Sequence, residues 1–186
     1  MSAILALSNA IKRILEVVAL ASGWLLILLM FVTCIDVFSR KLAIPIPLTK
    51  FQELEWHLHT TIFSMWMGYN YTINAHPRVD SFTERFEFRT KAWIELAGCL
   101  LFALPYTWVV VYHGWDFVLT SYLQDERSEQ ALGLGHRWII KGILYIGLWL
   151  LLAGIVSVML RLVVFLFGRR PREEVELQIG HSALEV

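Results

Sequence analysis

Apolar residues along this chain come in four long runs separated by polar stretches. The runs are Val17–Ile35, Trp56–Ile73, Ala92–Trp115 and Trp138–Phe167. Crossing the hydrocarbon core of a bilayer takes about 20 apolar residues in a helix, and each run is near or above that length. In lipid every backbone N–H and C=O must be bonded internally, which a helix does within its own segment. No run shows the two-residue period of a barrel strand. The pattern predicts an all-α integral membrane protein with four transmembrane helices, about 17–37, 56–74, 92–115 and 138–167. The second is the shortest and most polar of the four.

Ahead of the first run, Ile4, Leu7, Ile11, Ile14 and Val18 recur every three or four residues. That spacing predicts an amphipathic N-terminal helix over residues 1–16, lying on or entering the membrane. Lys12 and Arg13 precede the first run as they would in a signal peptide. The run is too long for one, however, and it ends in Asp36 and Arg40 without a small-x-small cleavage site, so it reads as an anchor. After Gly168 the chain turns polar, with Pro171 as a helix breaker, and 168–186 reads as a short mobile cytoplasmic tail. The terminal Ser182-Ala183-Leu184-Glu185-Val186 resembles the start of a protease-site linker.

Composition sharpens this picture. Hydrophobic residues make up 57% of the chain and charged ones 17%, where soluble domains sit near one half and one quarter. Sixteen basic and sixteen acidic side chains cancel, so lipid is an expected partner and nucleic acid is not. The basic residues are unevenly spread. Ten (Lys12, Arg13, Arg78, Arg85, Arg89, Lys91, Arg161, Arg169, Arg170, Arg172) flank one face of the four-helix layout. Six (Arg40, Lys41, Lys50, Arg127, Arg137, Lys141) flank the other. By the positive-inside rule both termini are cytoplasmic. Trp56, Trp115 and Trp138 then fall at outer helix ends and Trp93 at an inner one, where an indole is apolar on its body and wet at its tip.

Candidate chemistry is sparse. Glu16, Asp36, Glu95 and Arg161 all fall near helix ends, so no ionisable residue of the kind that marks a solute path sits at mid-membrane depth. Four helices lacking such groups are not expected to carry a hydrophilic solute alone, and no enzymatic centre is expected. Cys34 and Cys99 lie near opposite faces and read as buried structural thiols without a bridge. His57 and His59 at one outer helix end, with His113 at another, offer one axial pair for a haem. A haem-bearing anchor of a quinone-linked oxidoreductase is therefore an alternative, as is a membrane assembly factor; interfacial hydrogen bonding explains the histidines without a cofactor. Glu53–His57 and Glu55–His59 are i,i+4 pairs on different helix faces, which does not suit a metal site. Thr60, Ser64, Gly68 and Thr72 recur every four residues, a stripe that lets helix backbones approach closely in lipid. Ala19 with Gly23, and Gly147 with Gly154, repeat the theme in the first and fourth helices. Such stripes serve internal packing or a second membrane protein.

The second helix and the loop after it carry a resemblance. Gln52–His59 reads QELEWHLH, Gly68 follows, then His76-Pro77-Arg78-Val79-Asp80; later come Glu126-Arg127-Ser128, a glycine-containing loop and Arg137-Trp138-Ile139-Ile140-Lys141. This order resembles the DctQ-type small membrane subunit of tripartite ATP-independent periplasmic (TRAP) transporters, over roughly Ile11 to Leu166. Pro77 departs from the aliphatic residue usual in the H-x-R-V-D motif and biases His76 away from helical geometry. Leu132–His136 reads LGLGH where relatives often have a Gly-Gly-Leu-Pro run. The resemblance implies a scaffold subunit, without a cofactor, in a sodium-coupled carrier of organic acids. Its partners would be a large elevator-type membrane subunit on a separate chain and a periplasmic substrate-binding protein. Candidate subunit contacts are Glu53, Glu55, Thr60, Ser64, Gly68, Thr72, His76, Arg78, Asp80, Arg137 and Lys141.

Overall fold

The computed structural model describes residues 1–42, 44, 48–76, 83, 85–130, 132–168 and 170–179, and among them every regular element is helical. Helix α1 (Ser2–Gly23) carries the amphipathic segment on without a break, and α2 (Leu25–Lys41) follows after Trp24, itself helical at φ −63°, ψ −23°. Then come α3 (Leu48–Thr72), α4 (Phe88–Gly98), α5 (Leu104–Leu123), α6 (Trp138–Gly168) and the single turn α7 (Arg172–Val175). Among the described residues, three stretches are long and apolar enough to cross a membrane: Ser2–Lys41, Phe88–Leu123 and Trp138–Gly168. Helix α3, with 25 residues, has the length at about 1.5 Å per residue, but its polar opening LTKFQELEWHLH lowers its apolar content.

Side-chain neighbours fix the direction of each helix. Ser8 meets Ser157 and Met1 lies beside Gly168, so α1 and α6 are antiparallel. In α2, Leu29 and Val32 pack on Leu58. Tyr122 contacts Trp138 and Trp108 contacts Trp149, so α5 also runs against α6. Ser64 faces Gly147, and Gly68 faces Leu150 and Gly154, which makes α3 and α6 a parallel central pair. The chain therefore passes along the bundle four times, and its first and last helices meet at one end. Half of the most apolar stretch of α6 is buried (50%), against 22% for each of the two outer stretches, so α6 is the core. The outer helices leave Phe31, Phe38, Phe102, Tyr106 and Tyr112 exposed, a surface suited to lipid or another membrane protein.

Two local features were not expected. Between α4 and α5, Cys99–Ala103 forms a π-helical stretch in which the Leu104 N–H reaches Cys99 O. Pro105 explains it: proline lacks an N–H and its ring crowds the carbonyl four residues back, so a wider turn accommodates it inside a continuous helix. The segment after α6 also differs from the mobile tail read in the sequence. Val175, Leu177 and Ile179 are buried in a cluster with Ala92, Leu96, Val158, Leu162 and Leu166. These apolar positions alternate with Glu176 and Gln178, so the polar average hid an extended strip with one buried side. The linker-like Ser182–Val186 lies outside the described residues.

Candidate functional site

The seam between α3 and α6 is the first place where candidate residues converge. A Cβ added at Gly147 would lie 2.6 Å from Ser64 Cβ, and one at Gly154 would lie 2.5 Å from Gly68 O. A Cβ at Gly68 would press on the Leu150 carbonyl (2.6 Å to its carbon) and on Leu15 Cδ2 at 3.0 Å. Around Gly68, α3 and α6 thus meet at backbone range with the Leu15 side chain of α1 against them, and only hydrogen fits there. In lipid this close packing replaces the hydrophobic drive that joins helices in water. Ser64 and Gly68 are buried here by the chain's own helices, as is Thr72, whose hydroxyl donates to Tyr69 O at 2.7 Å.

The end of the bundle where α3 begins holds the second convergence. Glu53 is 6% exposed; its carboxylate accepts from the Ser128 hydroxyl and from the Leu134 N–H. Within the same loop Ser128 N–H donates to Leu134 O at 3.1 Å, and Arg137 N–H donates to Glu126 O at 3.0 Å. A side chain at Gly133 would collide with Ser128 and come within 2.7 Å of Glu53 Oε1, so the glycine lets the loop close over the carboxylate. Burial pushes the Glu53 pKa up, but the bonds from Ser128 and Leu134, with the nearby Arg137 and His57 charges, outweigh it and hold the group below its ordinary value. Beside it Glu126 pairs with Lys141, and Arg137 stands 4.0 Å away; chiefly the Lys141 hydrogen bond holds the Glu126 pKa down. Arg137 also lies 5.9 Å from the Trp56 ring centroid, and Lys141 4.0 Å from that of Phe117.

The opposite end is held by Arg161, 3% exposed, seven residues before α6 ends. Its guanidinium donates to Ser8 Oγ (3.0 Å), Asn9 Oδ1 (2.6 Å) and Val175 O (2.6 Å). Glu176 lies 3.5 Å away and bridges to Lys12 at 3.0 Å; the Lys12 hydrogen bond, more than any other contact, lowers the Glu176 pKa. A buried cation persists only when its donors are satisfied, and here they bind α1, α6 and the tail into one end. Sequence reasoning placed Arg161 near a helix end but missed its partners, which lie more than 150 residues away for Ser8 and Asn9.

Other candidates scatter. Glu55 is half-buried, its Oε1 without a partner among the described residues, and Thr60 is half-buried. His76 Nε2 sits 3.4 Å from Met67 O; Arg78 and Asp80 lie outside the described residues. Cys99 is buried as expected, but Cys34 is exposed, because α2 packs mainly on α3 and turns its other side outward. His57 Nδ1 contacts Glu53 O of its own helix and its ring stacks by Trp56 at 4.8 Å, while His59 and His113 are exposed. Among the described residues no three His, Cys, Asp or Glu side chains converge as metal ligands would.

The convergent residues are those of the QELEWHLH, Glu126-Arg127-Ser128 and Arg137–Lys141 segments. A family model described as tripartite ATP-independent periplasmic transporters, DctQ component, matches residues 29–165. The chain belongs to the DctQ family. DctQ chains are the small membrane subunit of TRAP transporters, a transport component and not an enzyme family. The match begins within α2 and ends within α6, so it takes in the seam and the Glu53 loop. Neither a curated protein nor a solved structure matches this chain. The apolar stretches of this DctQ chain mark it as a multi-pass membrane protein.

Proposed function

We propose that this DctQ chain is the static scaffold of a sodium-coupled TRAP transporter for organic acids, bracing a separate, large elevator-type membrane subunit that a periplasmic binding protein supplies. The family match over residues 29–165 carries the reading. The architecture supports it in two ways. Three buried charges are committed inside the chain: Glu53 to its loop, Arg161 to α1 and the tail, and Asp36 to Arg40, whose guanidinium the Gln52 amide oxygen also accepts from at 2.7 Å. The bundle centre is closed by backbone contact at Gly68 and Gly154, which favours rigidity over a solute path.

In this reading the chain spans the bacterial inner membrane four times, α3 included, with both termini cytoplasmic. Contact with the large subunit falls to groups the chain leaves open, Glu55 and the outward apolar faces, while Ser64, Gly68 and Thr72 set the shape of the bundle that presents them. The test is uptake by proteoliposomes under a sodium gradient. The chain alone should accumulate no organic acid above empty liposomes, and uptake should need the large subunit and the binding protein together. Robust uptake by this chain alone would refute the scaffold role.

A further inference from the structure

Beneath the Glu126–Lys141 pair a groove of about 270 Å³ opens between α3, α5 and α6. Its walls are Phe63, Phe117, Ile140 and Leu144, with Thr60 between them, and Trp56, Arg137 and Lys141 at its mouth. Lys141 is committed to Glu126 and the Phe117 ring. Arg137 is not committed in the same way. The two acids that face it are held by others, Glu126 by Lys141 and Glu53 by Ser128 and Leu134. Among the described residues its closest acidic oxygen is 4.0 Å away, beyond a hydrogen bond, although a guanidinium carries five N–H donors. A cation with unspent donors stands above an apolar slot at the depth where the predicted second and fourth spans begin.

We infer that this groove binds one anionic phospholipid, its phosphate on Arg137 and an acyl chain along Phe63, Phe117 and Leu144. Charge complementarity favours a phosphate: planar guanidinium donors match its oxygens in pairs, and water would satisfy Arg137 without using the apolar slot below. Trp56 flanks the headgroup level, where indoles settle in bilayers. The inference goes beyond the transport role and rests only on the chain lying in a membrane.

The full chain, purified in detergent and equilibrated with phosphatidylglycerol or phosphatidylethanolamine, is read by native mass spectrometry. One phosphatidylglycerol should be retained in preference to the zwitterionic lipid. Arg137→Gln should lower retention about fivefold, the worth of one basic residue toward an anionic headgroup. Thr60→Phe, which fills the slot and leaves every charge in place, should lower it as far, and it decides alone if Arg137→Gln does not fold. Unchanged retention in Thr60→Phe overturns the inference, as does equal retention of the two lipids. In the assembled transporter a photo-crosslinker at Phe63 should capture lipid; capture of the large subunit would make the groove a protein seat and overturn it.

Discussion

Glu53 shows how a single side chain organises one end of the bundle. Removing it leaves the Leu134 N–H and the Ser128 hydroxyl without their acceptor, and a buried unmet donor costs about 1–3 kcal/mol. Glu53→Ala should therefore lower the thermal unfolding temperature and open residues 124–137 to limited proteolysis, while Glu55→Ala, whose Oε1 has no partner among the described residues, should not open the loop. Because the Glu53 pKa is depressed in the folded chain, its contribution is present above the ordinary carboxylate value and lost as pH falls through the lower folded value. Acidification below about pH 4 should loosen the loop in the parent protein, and Glu53→Gln should reduce that response, leaving the share carried by Asp125 and Glu126, whose pKa values are also held down; a loop equally protected at pH 7 and pH 3.5 in the parent would refute the linkage. The sequence marked Glu53 as a candidate through the glutamates entering the second helix. It gave no sign of the carboxylate's partners, which lie 75 and 81 residues further on. Only the turn that Gly133 permits brings them back, and no local pattern encodes that distance.

At the scale of the helices, glycine has opposite consequences at different positions. Gly68 touches the backbone of α6 and the side chain of Leu15, so Gly68→Leu must push α3 off both neighbours. Overpacking of this kind costs about 1–3 kcal/mol or more, and the variant should melt well below the parent or fail to accumulate. Gly98 and Gly142 have nothing within 4 Å of an added Cβ. Gly98→Ala, inside helical geometry, should leave the melting temperature unchanged or raise it, since alanine loses less entropy in a helix, by about 0.4–1 kcal/mol. Equal melting of Gly68→Leu and Gly98→Ala would show that the seam is loosely packed. The small-residue stripe was readable from its four-residue period, whereas its occupant was not: periodicity says that something comes close, and only the fold says that α6 does. The π-helical turn before Pro105 was equally hidden, because proline in a long apolar run is compatible with a kink, a bulge or a break.

For the whole molecule, the all-helical architecture and its three longest apolar stretches could be read from apolar length alone, because lipid leaves the backbone so few choices. The docked tail could not, since its buried residues are only every second one. Both ends of the bundle's path meet where Ser8 contacts Ser157, and the basic residues are denser on that side. Reporter fusions at Gln178 and at Gln124 should accordingly give cytoplasmic and periplasmic signals; the reverse pattern would overturn the orientation. The central place of α6 has one more consequence. Helices α1, α2 and α3 contact one another, but α5, apart from the π-helical stretch it continues, packs chiefly on α6. A ribosome delivers these segments in order, so α5 emerges with almost nothing to bind until α6 follows. Synthesis should therefore pass through an intermediate in which α5 is a loose arm, and the final long helix acts as the keystone that converts it into a bundle.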